Sequence, residues 1–240
     1  NFVFKNKPIN RFNIIENSND SNQTNKAEQL NSLVKQINSI VFLNKIVIFR
    51  LHSLLNIHMM VKTSCHIGPY PHTYLLDKEA HNGLLFYSRY PVSEVQERYF
   101  CQDHVPSLTV DMDVEGREVR LYCIHPRPPR PRDDTQHLDD ELMIVADELR
   151  EQHRPAMVIG DFNEVGWSWM VKEFKQHAGL CDPKRGRGLY NSYGAQNPFL
   201  AWPLDHAFVT DDFRLLGIHR LRPCGSDHYP MLYRFQLTPA

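Results

Sequence analysis

The run Met157-Val158-Ile159-Gly160-Asp161-Phe162-Asn163 places a carboxylate and an amide two residues apart, where an apolar strand ends and the chain must turn. An aspartate at such a point can orient a water or bind a hard cation, and an asparagine amide can donate to a phosphoryl oxygen that gains charge in a transition state. The same residues also suit a plain Gly-Asp turn closed by Asx hydrogen bonds. Two further motifs bring acidic residues to strand entrances: Leu204-Asp205-His206 before Ala207-Phe208-Val209, and Gly225-Ser226-Asp227-His228-Tyr229-Pro230 before Met231-Leu232-Tyr233. A His whose second nitrogen is held by a carboxylate can take a proton from water, so a His-Asp dyad is what hydrolysis requires. A turn with a structural histidine is the competing reading of each motif alone. A fourth run, Leu121 to Pro126, ends a strand on His125 and leads into Arg127, Arg130 and Arg132 among prolines. Stiffly held arginines can grip phosphate oxygens bidentately, or they can simply solvate a Pro-rich turn.

The elements that must position these groups are legible around them. Gly83 to Ser88 reads as a strand, and Ser107 to Val114 with Arg117 to Ile124 reads as a hairpin about Glu115-Gly116. Leu138, Leu142, Val145, Ala146 and Leu149 share one face of a helix from about Thr135 to Gln152, followed by the short strand entering Gly160. A second helix is predicted over Trp169 to His177, and strands over Ala207 to Thr210, Leu215 to Leu221 and Met231 to Leu237. Upstream, Ala27, Leu30, Leu33, Val34 and Ile37 mark a helix with Thr24 as N-cap, feeding a strand at Ile40 to Leu43. Alternating strands and helices imply a layered α/β architecture.

Over 240 residues the formal net charge is -1, so phosphate affinity must come from a local cluster or a metal and not from a global field. The five cysteines are scattered without a Cys-x-x-Cys pair, which argues against zinc or a redox motif. Residues Ile40 to Val61 are the most apolar stretch, but Asn44, Lys45, Arg50, His52, Asn56 and His58 interrupt it, and neither a transmembrane helix nor a signal peptide is read. A soluble domain is expected, its compartment open between the cytoplasm and a membrane-anchored longer precursor. The first 62 residues favour Asn and Lys and the remainder favours Arg, a shift that marks a linker, a separate domain, a divergent segment or a corrupted reading of the gene. The chain is read as one domain over 1–240, with a divergent part at 1–62 and a recognisable catalytic part at 82–237.

In order and spacing, these four motifs resemble the endonuclease/exonuclease/phosphatase family, which includes deoxyribonuclease I, abasic-site endonucleases, neutral sphingomyelinases and inositol-phosphate phosphatases. Asp161-Phe162-Asn163 with Trp167-Ser168, Ala178-Gly179-Leu180 and Pro203-Leu204-Asp205-His206 is most similar to an uncharacterised bacterial branch. The resemblance implies a deoxyribonuclease I-like four-layer α/β/β/α sandwich of two mixed sheets that meet at the active-site end. It implies a metal-dependent phosphoesterase in which His228, paired with Asp205, is the base or transition-state stabiliser. Asp161 would orient the attacking water, Asn163 would contact the scissile phosphate, and His125 would protonate the leaving oxygen. Asp227 would bind Mg²⁺ or Mn²⁺, the hard cations that suit oxygen ligands and in-line attack at phosphorus. Asn1 stands as a further metal ligand, and Arg127 and Arg130 as phosphate contacts. The implied partner is a phosphoester substrate, nucleic acid among the classes.

The chain departs from the family where a metal-binding Glu is due at a strand end. After Ile40-Val41-Phe42-Leu43-Asn44 stands Lys45, and the alternative frame Ile46-Val47-Ile48-Phe49 meets Arg50. A cation there repels Mg²⁺, and neither Glu16 nor Glu79 has the spacing of a replacement. A weakened or inactive phosphate-binding member of the fold is therefore the alternative function.

Overall fold

A computed structural model describes residues 37–43, 46–51, 71–76, 83–101, 105–126, 136–223 and 226–239. Strands β1 (Ile37–Leu43), β2 (Ile46–Leu51), β3 (His72–Leu76), β4 (Gly83–Ser88), β10 (Phe213–Arg220) and β11 (Met231–Leu237) form one sheet, in the order β10-β11-β1-β2-β4-β3. Strands β5 (Val92–Arg98), β6 (Ser107–Val114), β7 (Arg117–Ile124), β8 (Ala156–Asp161) and β9 (Asp205–Val209) form the other, in sequence order. Helix α1 (Gln136–Gln152) carries the crossover between the parallel strands β7 and β8, and α2 (Trp169–His177) follows β8.

Two hydrophobic layers hold this arrangement together. Between the sheets, Leu84, Phe86, Met231, Tyr233 and Phe235 meet Leu108, Val110, Leu121, Ile159 and Val209. On the outer face of the second sheet, Tyr122, Val158 and Phe208 meet Leu142, Val145, Phe162, Val171 and Phe174. Residues alternate along β7 and β8 between these two layers because both faces of the sheet are covered, so these strands read as continuous apolar runs. The result is an α/β sandwich. Among the described residues no helix covers the outer face of the first sheet, and the helix expected over Thr24 to Ile37 falls mainly outside them.

The predicted strands at Gly83 to Ser88, Ser107 to Val114, Arg117 to Ile124 and Met231 to Leu237 are present, as are both later helices. Strands β3 and β5 were not predicted. The latter, Val92-Ser-Glu-Val-Gln-Glu-Arg98, is an edge strand in which Val92 and Val95 are both half-buried among polar residues, so no alternating apolar period shows.

The direction of β1 corrects the reading of Ile40 to Asn44. It runs parallel to β11 with Val41 opposite Met231 and Leu43 opposite Tyr233, whereas β2 returns antiparallel, with Leu51 opposite Ile37. Because β11 begins three residues after His228 and leads away from it, β1 also leads away from the motif end. The strand that ends towards the motifs is β2, on Arg50 and Leu51. Lys45 and Asn1 lie outside the described residues, as do Arg127, Arg130, Arg132, Glu16 and Glu79.

Candidate active site

Strands β7 and β8 end, and β9 begins, at one edge of the second sheet, and this edge gathers His125, Asp161 and Asp205. Gly160 lets β8 deliver its aspartate. It pairs with Ile124 at φ +148, and a Cβ there would stand 1.9 Å from the Ile124 carbonyl oxygen, so only glycine fits. The next turn is the Asx turn that the sequence also allowed: the Asn163 N–H donates to Asp161 Oδ1 at 2.9 Å. Asn163 itself has φ +51, a left-handed conformation that asparagine tolerates. Its side-chain amide donates to the Pro126 carbonyl at 2.8 Å and lies 3.5 Å from His125 Nε2. The turn reading and the functional reading therefore describe the same residues.

His228 lies in the loop before β11, buried, with its backbone N–H held by Ser226 Oγ at 3.0 Å. Its Nδ1 donates to Asp205 Oδ2 at 2.7 Å, while Nε2 stands 3.6 Å from Asp161 Oδ2. Burial opposes charge on this imidazole, but Asp205, then Asp161 and Asp227, overcome it and raise its pKa to about 9. At neutral pH His228 is thus an imidazolium between two buried carboxylates. His125 reaches the same carboxylate from the other side, its Nδ1 donating to the Asp161 carbonyl at 3.0 Å and lying 3.8 Å from Oδ2. The Tyr193 ring closes on His228 edge-on at 5.2 Å.

Five of the predicted residues are therefore brought together: His125, Asp161, Asn163, Asp205 and His228. Asp227 sits beside them, exposed, with Ser226 Oγ 3.3 Å from its carboxylate. Asn1, Arg127 and Arg130 lie outside the described residues.

Three supporting residues were missed. Lys184 is buried and donates to the Asp205 carbonyl at 2.9 Å, with burial lowering its pKa to about 8. Ser192 Oγ accepts from the Asp205 N–H at 2.9 Å, and Tyr233 OH donates to the Asp205 carbonyl at 3.3 Å. Together they fix the backbone of the residue that orients His228. The only sequence signal was a lysine in an otherwise turn-like Asp182-Pro183-Lys184. His206, by contrast, faces away from the site: it stacks on Phe208 at 4.9 Å, and its Nε2 donates to the Glu164 carbonyl at 2.9 Å.

As a metal centre the donor set fits only in part. Asp205 is committed to His228, and Asp161 lies between two imidazoles, leaving Asp227 as the carboxylate available to a hard cation. Among the described residues no group of three or more His, Cys, Asp or Glu is placed to hold a metal ion.

The model of the endonuclease/exonuclease/phosphatase family matches residues 20–228. The chain belongs to that family. Membership implies a hydrolase acting on phosphoester bonds. A family protein from Beutenbergia cavernae is similar in structure, with TM-score 0.63 and 18% identity over 76% of this chain; the chain spans 57% of that protein. A humanized D. rerio TDP2 gives TM-score 0.62 at 15% identity, covering 88% of this chain and 91% of TDP2. Staphylococcus aureus beta toxin gives TM-score 0.56 at 15% identity, covering 82% and 87%. At such identities the likeness is one of fold. Among curated proteins none matches the chain.

Proposed function

We propose that the chain hydrolyses a phosphodiester or phosphomonoester at the cluster of Asp161, His228, Asp205, Asn163 and His125. The observation that carries this reading is His228, bonded to Asp205 at 2.7 Å with its other nitrogen turned to Asp161 at 3.6 Å. Asp161 Oδ2 accepts a proton from the attacking water and orients its lone pair towards phosphorus. The His228 imidazolium, whose charge Asp205 sustains, faces the phosphoryl oxygens as they gain charge. The Asn163 amide adds a neutral donor there. His125, its Nδ1–H held by the Asp161 carbonyl, acts as an imidazolium whose second proton, on Nε2, passes to the leaving oxygen and leaves the neutral ring. A divalent cation, Mg²⁺ or Mn²⁺, with Asp227 as a ligand, supplies charge neutralisation at the phosphate when bound.

The test is turnover by purified chain with Mg²⁺ on an oligonucleotide and on a small aryl phosphodiester and monoester. Hydrolysis of one class is expected, with at least a hundredfold loss in EDTA that Mg²⁺ or Mn²⁺ restores. Folded protein that turns over none of them would refute the proposal. A second reading, a weakened or non-catalytic phosphate binder, is favoured by Arg50 at the end of β2 and by the incomplete donor set. It predicts phosphoester binding indifferent to Mg²⁺, and EDTA-sensitive turnover excludes it.

A further inference from the structure

Apart from Leu75, Ile144 and Leu216, the large apolar side chains left in water among the described residues fall in two segments of the chain next to the site strands. Trp167, Trp169, Leu189, Phe199, Leu200 and Trp202 are all exposed, Trp169 at 72% and Phe199 at 94%. They belong to the two segments that border the catalytic strands: the loop after Asp161 with the first turn of α2, and the long loop that ends in Asp205. An isolated exposed ring is ordinary, whereas four large apolar side chains left exposed on one loop, Leu189, Phe199, Leu200 and Trp202, mark a surface that meets something.

The tip of the long loop is built. Asn197 accepts from the Phe199 N–H through its side chain at 3.2 Å and from the Leu200 N–H through its carbonyl at 3.0 Å. Gly194 holds φ +93 in a place where a Cβ would come within 2.6 Å of the Leu200 carbonyl oxygen. The N–H groups of Gly194 and Ala195 both donate to the Asp227 carbonyl, at 3.0 and 2.9 Å, and Tyr193 bridges to Trp202 and to His228. The apolar tip is therefore fastened to the loop that carries His228.

The loop itself is basic, with Asp227 the exposed carboxylate beside its tip. From Pro183 to Leu204 the sequence contains Lys184, Arg185 and Arg187 but neither Asp nor Glu. Arg185 and Arg187 are exposed, as are Arg220 and Arg222 at the adjoining end of β10, where Arg220 donates to the Asn191 carbonyl at 3.2 Å. Bases stack on rings, but Leu189 and Leu200 have no π face to offer them. Aromatic and aliphatic side chains beside guanidinium groups are instead the composition that seats a surface at the boundary between acyl chains and anionic headgroups. We infer that this end of the molecule docks on an anionic phospholipid surface, with Phe199 and Leu200 entering the acyl boundary and the arginines meeting the phosphates. Docking would present the Asp161 and His228 end to the membrane; only the consequence for turnover rests on the phosphoesterase reading.

All three tryptophans of the chain are exposed, Trp202 on the long loop and Trp167 and Trp169 in the segment after Asp161, so emission from Trp202 reports docking without any turnover. Vesicles of equal parts phosphatidylglycerol and phosphatidylcholine, added to the full chain, are expected to shift that emission to the blue and to co-sediment the protein. High salt and pure phosphatidylcholine should each weaken binding. The double variant Phe199→Ser, Leu200→Ser should bind at least tenfold more weakly, with an unchanged circular dichroism spectrum and melting temperature and unchanged turnover of a soluble phosphoester. Absence of a shift on any vesicle, or equal binding by the folded double variant, overturns the inference. A shift with a single-stranded oligonucleotide but not with vesicles overturns it in favour of base stacking.

Discussion

His228 couples the charge of the site to the stability of the protein. Its pKa rises from 6.5 to about 9 on folding, against its own burial and through Asp205 first. A group raised in this way contributes fully below its unfolded pKa and loses that contribution as pH climbs through the folded one. The loss should therefore fall between pH ~6.5 and ~9 and amount to about 3 kcal/mol. Lys184 shifts the opposite way, to about 8 from 10.5, and adds stability with rising pH over part of the same range. The measurement that isolates His228 is the difference in unfolding free energy between wild type and His228→Gln, which should shrink from pH 6 to pH 10. Asp205→Asn should cut turnover by about a hundredfold or more. It should also move the alkaline limb of the pH profile towards neutrality, since the carboxylate that sustains the imidazolium is gone. An unmoved limb would mean that His228 does not act as a cation.

Among the elements, β8 and its turn carry the tightest constraint. Gly160→Ala forces a methyl into the Ile124 carbonyl at a φ that L-residues avoid, and should cost about 3 kcal/mol or more. Thermal or denaturant unfolding checks this, and a shift of only a few tenths would show that the β7–β8 contact relaxes. Helix α1 carries a different liability. Glu141 is buried against β6, where Ser107 Oγ donates to it at 3.0 Å, and burial raises its pKa to about 7. A carboxyl raised on folding favours the native state at acid pH and loses that advantage as pH passes from 4.5 to about 7. Glu141→Gln keeps the acceptor for Ser107 and removes the charge, so its melting temperature should exceed wild type at pH 8 and match it near pH 5. These elements were legible because their signals are local: apolar residues at helical spacing on α1, turn residues between β6 and β7, an apolar run ending in Gly160. The candidate site residues were legible for the same reason, each standing beside the start or finish of a strand that its neighbours announce. What was not legible depends on distant contacts. An apolar run such as Ile40 to Leu43 predicts a strand but not its direction, which the pairing with β11 decides. Lys184 acquires its role only when the loop before β9 folds back onto Asp205.

Across the whole molecule, two stacked sheets let the segments at the ends of β7 and β8 and at the starts of β9 and β11 converge while the layers behind them stay apolar. The candidate site is thus assembled from segments far apart in sequence but close along one edge. The segments with exposed aromatic residues, after Asp161 and before Asp205, adjoin that edge, so the proposed chemistry and the proposed docking surface belong to neighbouring loops.

The parallel pairing of β1 with β11 has a kinetic consequence. Val41 finds its partner only when Met231 has been made, so the first described strand must wait for β2 to β10 to leave the ribosome before its sheet can close. Until then β1 and β2 form a hairpin with an open, hydrogen-bonding edge, in a stretch that is the most apolar of the sequence. Folding of the sandwich is therefore set by late, long-range strand insertion, and chaperone dependence should be greatest just before β11 is synthesised.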